Sequence, residues 1–132
     1  MDDQRIERDP AARVRQRVLI VDDDTSLLGA MRTAFADAGW EVIASSTFED
    51  ARQWLRTSAF DVLLTDVRLG AFNGLQLAVI ARDADPAIRI IVFSGFDDPV
   101  LRTEAEHVGA TYMVKPVTGA RLLEVLKESQ TN

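Results

Sequence analysis

The chain predicts an α/β fold built on a parallel sheet with helices on both faces. Three observations carry that expectation. Apolar runs of strand length recur through the 132 residues, and segments with apolar residues at helical spacing alternate with them. Several of the runs are apolar without interruption, as strands buried on both faces read. Polar residues suited to chemistry stand where four runs end: Asp22-Asp23-Asp24, Asp66, Ser94-Gly95 and Lys115-Pro116. Strands alternating with helices in this way argue for right-handed crossovers within one sheet.

Residues 1–16 are charged and mixed in sign, contain Pro10, and offer only Ile6 and Val14 as sizeable apolar side chains. A flexible arm is expected there. The first strand is expected over 18–22, through Val18-Leu19-Ile20-Val21. Leu27, Leu28, Met31, Phe35 and Ala38 follow at helical spacing, and Gly39 supplies a stop. Glu41–Ser45 reads as a short strand of mixed polarity near a sheet edge. Thr47 with Asp50 resembles a helix-capping pair ahead of Phe48, Ala51 and Leu55 on one face. A third strand is expected over 60–65.

After a loop, Asn73 is placed to cap a helix running to about Ala84, and Pro86 ends that unit. The fourth strand is expected over 88–93. Asp97 or Asp98 with Pro99 marks the next helix start. That helix has a thin apolar face of Leu101, Ala105 and Val108 before Gly109. Strand 111–114 and a helix from about Thr118 to Lys127, with Leu122 and Leu126 inward, complete five strands and five helices. The domain is expected over 17–128, with 129–132 as a short tail.

Composition narrows the function classes. At 47% apolar residues the chain can bury a real core, as one domain. No apolar run approaches the roughly 18 residues of a membrane-spanning helix, and the first residues lack the apolar stretch of a signal peptide. With no cysteine, disulfides and thiolate metal sites are excluded, and a reducing cytoplasm is the simplest location. A net charge of -6 argues against a broad electrostatic grip on nucleic acid or an anionic membrane.

In a parallel sheet the carboxyl ends of all strands lie at one edge, where ligand sites form. Asp22, Asp23 and Asp66 then converge with Ser94 and Lys115. Crowded carboxylates raise one another's pKa unless a cation neutralises them. A hard, oxygen-preferring ion such as Mg²⁺ suits them, using one or two carboxylates and keeping waters for a phosphate. Asp24 is open between that role and capping the first helix. Asp66 stands alone on its strand end, so it can attack phosphorus as well as hold metal. Lys115 offers a flexible point charge and Ser94 a hydroxyl for the equatorial oxygens of a phosphoryl group. Singly, Ser94 before glycine reads as a turn residue and Lys115 as surface charge; their positions at successive strand ends give them a shared role. His107, the only histidine, reads as a surface residue late in the fourth helix, and Trp40 and Trp54 read as packing residues.

On these residues the chain resembles a receiver domain of a two-component response regulator, of the chemotaxis-regulator kind, across 17–128. The family's acidic pair matches Asp22 and Asp23, and its phosphoacceptor matches Asp66 within Leu64-Thr65-Asp66-Val67-Arg68. Its Ser/Thr matches Ser94, and its Lys-Pro pair, commonly cis, matches Lys115-Pro116. The aromatic switch position falls on Tyr112, and Asn73-Gly74-Leu75 resembles the Asp-Gly-Leu that follows the phosphorylation loop. The resemblance implies a flavodoxin-like, doubly wound (βα)5 fold with strand order 2-1-3-4-5. It implies Mg²⁺ held by Asp22, Asp23, Asp66 and the backbone carbonyl of Arg68. Ser94, Lys115 and Tyr112 would bind the phosphoryl group and switch, with Tyr112 turning inward as Ser94 is drawn in; Pro116 and Gly74 would be structural.

The implied donor is a sensor histidine kinase or phosphotransfer protein. The implied output is a homodimer or a downstream protein at helix 4, strand 5 and helix 5, without direct contact to nucleic acid or membrane. Such a domain catalyses its own phosphorylation and hydrolysis and is otherwise a switch, not a turnover enzyme. Gly70-Ala71 stands where many receivers carry proline, so a looser loop is expected, and Val117 replaces a common aromatic residue. Arg68 and Phe96 can reach over the pocket. Two other readings are open. A haloacid-dehalogenase-like phosphatase would use Asp22-Asp23-Asp24 and Asp97-Asp98, but its lysine should precede the second acidic motif and Asp66 would be idle. A degenerate receiver would act only as an interaction module, against which the intact polar set argues. The sequence stops at Asn132, so the expectation is either a single-domain regulator or a receiver cut from a longer protein.

Overall fold

A computed structural model describes residues 15–130, so nearly all of the expected arm and the end of the expected tail lie outside the described residues. Strands β1 (Arg17–Val21), β2 (Glu41–Ser45), β3 (Val62–Asp66), β4 (Arg89–Ser94) and β5 (Thr111–Val114) form one parallel five-stranded sheet. Their order is 2-1-3-4-5, as expected. Between them run α1 (Thr25–Asp37), α2 (Phe48–Thr57), α3 (Gly74–Ala84) and α4 (Pro99–His107), and α5 (Gly119–Gln130) follows β5.

Why the strands read as unbroken apolar runs is visible in the two cores. Side chains alternate along a strand, and here both faces are covered. Val18, Ile20, Val62, Leu64, Ile91 and Phe93 pack with Met31 and Phe35 of α1 and with Leu122 and Leu126 of α5. Their neighbours Leu19, Val21, Leu63, Ile90 and Val92 pack on the other face with α2, α3 and Ala105 of α4. Burial of each such side chain contributes about 1.5–3 kcal/mol. A polar substitution at any of these positions would therefore meet a core, whichever way it pointed.

The helix starts follow the polar residues read as caps. Asp24 accepts from the amides of Ser26 and Leu27, Thr47 from Asp50, Asn73 from Leu75, and Asp98 from Val100 and Leu101. Each such cap contributes about 1 kcal/mol. Asp24 is thereby assigned to α1. At the other end of that helix Ala38 is exposed, a correction to its place in the apolar face, because it falls at the C-cap beyond the last inward turn.

β3 begins two residues later than the apolar pattern suggests. Phe60 is buried but precedes the ladder, and the Asp61 carboxylate accepts the Arg17 amide at 2.7 Å. Arg17 is itself buried, with its guanidinium over the Phe60 ring, on the Ala59 carbonyl and paired with Glu41. α5 continues past Lys127 to Gln130. Among the described residues no helix is long and apolar enough to cross a membrane.

Candidate functional site

Register brings the polar strand ends together. Val21 pairs with Thr65, so Asp22 and Asp66 stand at one level on neighbouring strands. Asp66 pairs with Phe93, and Ser94 with Val114, so Ser94 and Lys115 follow at the next two strand ends. This is where the strand order reverses, with β2 on one side of β1 and β3 on the other. Such a switch point opens a crevice at the carboxyl ends of the strands.

Carboxylate oxygens of Asp22, Asp23 and Asp66 all lie within 4.8 Å of one another. The Lys115 ammonium is 3.1 Å from Asp66 Oδ2 and 3.3 Å from Asp22 Oδ2. Three carboxylates thus face one ammonium, which leaves an excess of two negative charges when all are ionised. Asp22 is fully buried; its Oδ1 accepts the Asp24 amide at 2.9 Å. Its Oδ2 has the nearby ammonium but no hydrogen bond of proper geometry. Burial pushes the Asp22 carboxyl above its ordinary 3.8 and the charge of Asp66 adds to this, while the Asp24 amide and Lys115 oppose it. For Lys115, burial works against the charge. The hydrogen bond to Asp66 and the attraction of both carboxylates outweigh it, so its pKa stands above 10.5.

An orphaned buried carboxylate oxygen inside a cluster with two excess negative charges fits a hard divalent cation. Asp23 and Asp66 could share that ion with Asp22. The segment after Asp66 is pinned to the same carboxylates. The Arg68 amide donates to Asp66 Oδ1 at 3.2 Å, and the Gly70 amide donates to Asp23 Oδ2 at 3.2 Å. Arg68–Leu69 pairs antiparallel with Phe72–Asn73, and Gly70, at φ +61, opens the two-residue turn between them. A proline there could supply neither the positive φ nor the amide. The loop is tied down by Gly70, not loosened by it.

Gly74 starts α3 directly against the candidate phosphoacceptor. Its amide donates to the Val67 carbonyl, and a Cβ there would sit 2.0 Å from the Asp66 carbonyl oxygen. Ser94 is buried, and its hydroxyl accepts the Phe96 amide at 3.3 Å. The Lys115 amide donates to the Ser94 carbonyl, and the Lys115-Pro116 peptide is cis. Arg68 lies over the exposed Phe96 ring at 5.5 Å. Tyr112 departs from the expectation that it turns inward with phosphorylation: it is already inside, at 7% exposure, with its hydroxyl donating to the Phe96 carbonyl at 2.6 Å. His107 is exposed in the last turn of α4. Sequence reasoning missed the Gly70 amide, although Gly-Ala between two short extended pairs is a hairpin signal.

The sequence profile of the response regulator receiver domain matches residues 18–127. The chain belongs to that family. It is 31% identical over 107 residues to the alginate biosynthesis transcriptional regulatory protein AlgB of Pseudomonas aeruginosa, covering 80% of this chain and 24% of that protein. It is 30% identical over 113 residues to the transcriptional regulatory protein ZraR of Salmonella typhimurium, covering 85% of this chain and 26% of ZraR. The receiver thus spans about a quarter of the length of these regulators. A CheY-like receiver domain protein from Methanospirillum hungatei superposes with a TM-score of 0.82 at 29% identity, covering 87% of this chain and 93% of that one. Receiver domains of response regulators are signalling switches. The phosphatase alternative also fails locally: Asp24 and Asp98 cap helices, and Asp97 pairs with Arg102.

Proposed function

We propose that this receiver takes a phosphoryl group onto Asp66 from a histidine kinase or phosphotransfer protein. The observation that carries this reading is Asp66 Oδ2 beside the Lys115 ammonium, within a cluster of carboxylates at the sheet's switch point. In the reaction an Asp66 carboxylate oxygen bonds to phosphorus as the bond from phosphorus to the donor nitrogen breaks. Lys115 neutralises phosphoryl oxygen charge, and the Ser94 hydroxyl donates to another oxygen. Asp22, Asp23, Asp66 and the Arg68 carbonyl would hold Mg²⁺, which supplies charge neutralisation for the phosphoryl oxygens. Water attack on the acyl phosphate returns the resting state, so the chemistry resets a switch and does not turn over an external substrate.

The output surface in this reading is α4, β5 and α5, offered to a downstream protein or a second receiver in the cytoplasm. The net charge of -6 leaves this domain without an electrostatic footprint for nucleic acid. The test is intact-mass spectrometry after acetyl phosphate and Mg²⁺. One stable phosphoryl adduct is expected on the wild-type chain and none on Asp66→Asn. An undiminished adduct on the variant overturns the assignment. Continuous release of phosphate without an adduct would favour a hydrolase.

A further inference from the structure

Tyr112 is the single tyrosine of the chain, and its side chain is held at two points. Its hydroxyl donates to the Phe96 carbonyl, and the Arg102 guanidinium covers the ring at 4.8 Å. That guanidinium is in turn tied to Asp97, one residue after Phe96, at 2.8 Å. The Phe96 amide donates to the Ser94 hydroxyl at the end of β4. A continuous line therefore runs from the candidate phosphoryl site through Ser94 and the Phe96 peptide to Tyr112, and from there to the first turns of α4.

We propose that Arg102 latches Tyr112 inward before any phosphoryl group is present, so that the α4–β5 surface is set in advance and the turn carrying Ser94 is held ready. The second half rests on the proposed role of Asp66; the first does not. A bland account makes Tyr112 a core residue that would stay inside whatever covered it. Against that account, α4 is thinly anchored, with Ala105 its only fully buried side chain. One outer wall of the ring is thus a partly exposed arginine side chain instead of packed core. The Asp97–Arg102 pair is exposed, at 69% and 40% for the two side chains, so as an ion pair it contributes little. Its effect is to aim the guanidinium. An exposed cation over an aromatic face shifts an equilibrium by about two- to fivefold, and that is the size of effect the latch predicts.

The test uses the full 132-residue chain and its lone tyrosine. Nitration of Tyr112 by tetranitromethane, without metal, reads how often the ring is exposed. Arg102→Ala is expected to speed nitration about two- to fivefold, Arg102→Lys to restore most of the protection, and Asp97→Asn to give a smaller increase. A melting curve matching wild type shows that the fold is intact. Arg102→Gln serves as a second variant if alanine loosens α4 as a whole. Wild-type nitration rates in both variants overturn the latch. Saturating beryllofluoride with Mg²⁺ should return nitration of Arg102→Ala toward the wild-type rate, because a ligand that binds the inward state better shifts the population back to it. Faster nitration of Arg102→Ala that saturating beryllofluoride leaves unchanged overturns the coupling to the site. If beryllofluoride fails to bind even the wild-type chain, the reading of Asp66 fails, and nitration still judges the latch.

Discussion

Asp22→Asn is expected to make the metal-free domain more stable and, at the same time, to abolish its response to Mg²⁺. Asp22 is fully buried, and its Oδ2 lacks a hydrogen bond even though the Lys115 ammonium is 3.3 Å away. The amide side chain keeps an oxygen for the Asp24 backbone N–H, removes one charge from a crowded cluster, and leaves Lys115 its contact to Asp66 at 3.1 Å. The gain should be about 1–2 kcal/mol and comes from removing a buried charge beside Asp66. It is offset in part because the amide nitrogen in place of Oδ2 still lacks an acceptor. In the wild type, Mg²⁺ should raise the melting temperature, as any ligand bound only by the native state does. In the variant that rise should vanish, and phosphoryl uptake with it. Melting curves in chelator and in Mg²⁺ decide this. A variant that melts lower than wild type in chelator, or one that keeps the rise with Mg²⁺, contradicts the account.

The same substitution isolates a pH dependence whose sign is fixed. Asp22 has a folded-state pKa above its ordinary 3.8. A raised carboxyl stabilises the fold below its unfolded pKa, and that contribution is lost as pH rises through the folded value. The stability advantage of Asp22→Asn over the metal-free wild type should therefore be smallest below 3.8 and grow as pH rises through the window above it. An advantage that shrank with rising pH would assign the buried oxygen a stabilising role. The site then reads as a place where the fold gives up stability to keep charge together for a ligand.

Much of this site was legible in the sequence because a parallel sheet sends every strand's carboxyl end to one edge. Once the apolar runs were read as strands, Asp22, Asp66, Ser94 and Lys115 had to become neighbours, and the register places them so. Caps were equally readable, since a short oxygen-bearing side chain before a helix has a local partner. What was not legible depends on contacts made across loops. Gly70 read as a missing proline, yet its amide reaches Asp23, which lies 47 residues away in sequence. The hairpin flanking it has two residues per strand, too few for any period to show. Arg102 carried no signal at all. Only the packing of α4 beside β5 brings an ordinary surface arginine over the Tyr112 ring.

Two glycine-to-alanine substitutions should act with opposite sign, and together they test how tightly α3 is seated against the site. At Gly74 a methyl group would lie 2.0 Å from the Asp66 carbonyl oxygen and 2.9 Å from Thr65 Oγ1. The first of these is backbone and cannot swing aside. It belongs to the candidate phosphoacceptor, whose peptide also takes the Thr65 hydroxyl at 2.9 Å. Either α3 backs away, losing the Gly74 amide bond to Val67 and the burial of Leu75 and Ala78, or the end of β3 shifts. Forced overpacking of this kind costs about 1–3 kcal/mol, and a clash with fixed backbone belongs at the upper end. At Gly29, exposed inside α1, a methyl group would meet nothing within 4 Å. There the alanine only removes backbone freedom from the unfolded chain, and it should stabilise by about 0.5–1 kcal/mol. Denaturant midpoints of the two variants measure both effects. Gly74→Ala should also lose phosphoryl uptake from acetyl phosphate even at temperatures where it stays folded, because the shift falls on Asp66 itself. A Gly74→Ala protein with wild-type stability and uptake would mean that α3 is free to slide over the sheet, and that the close contact does not position the phosphoacceptor.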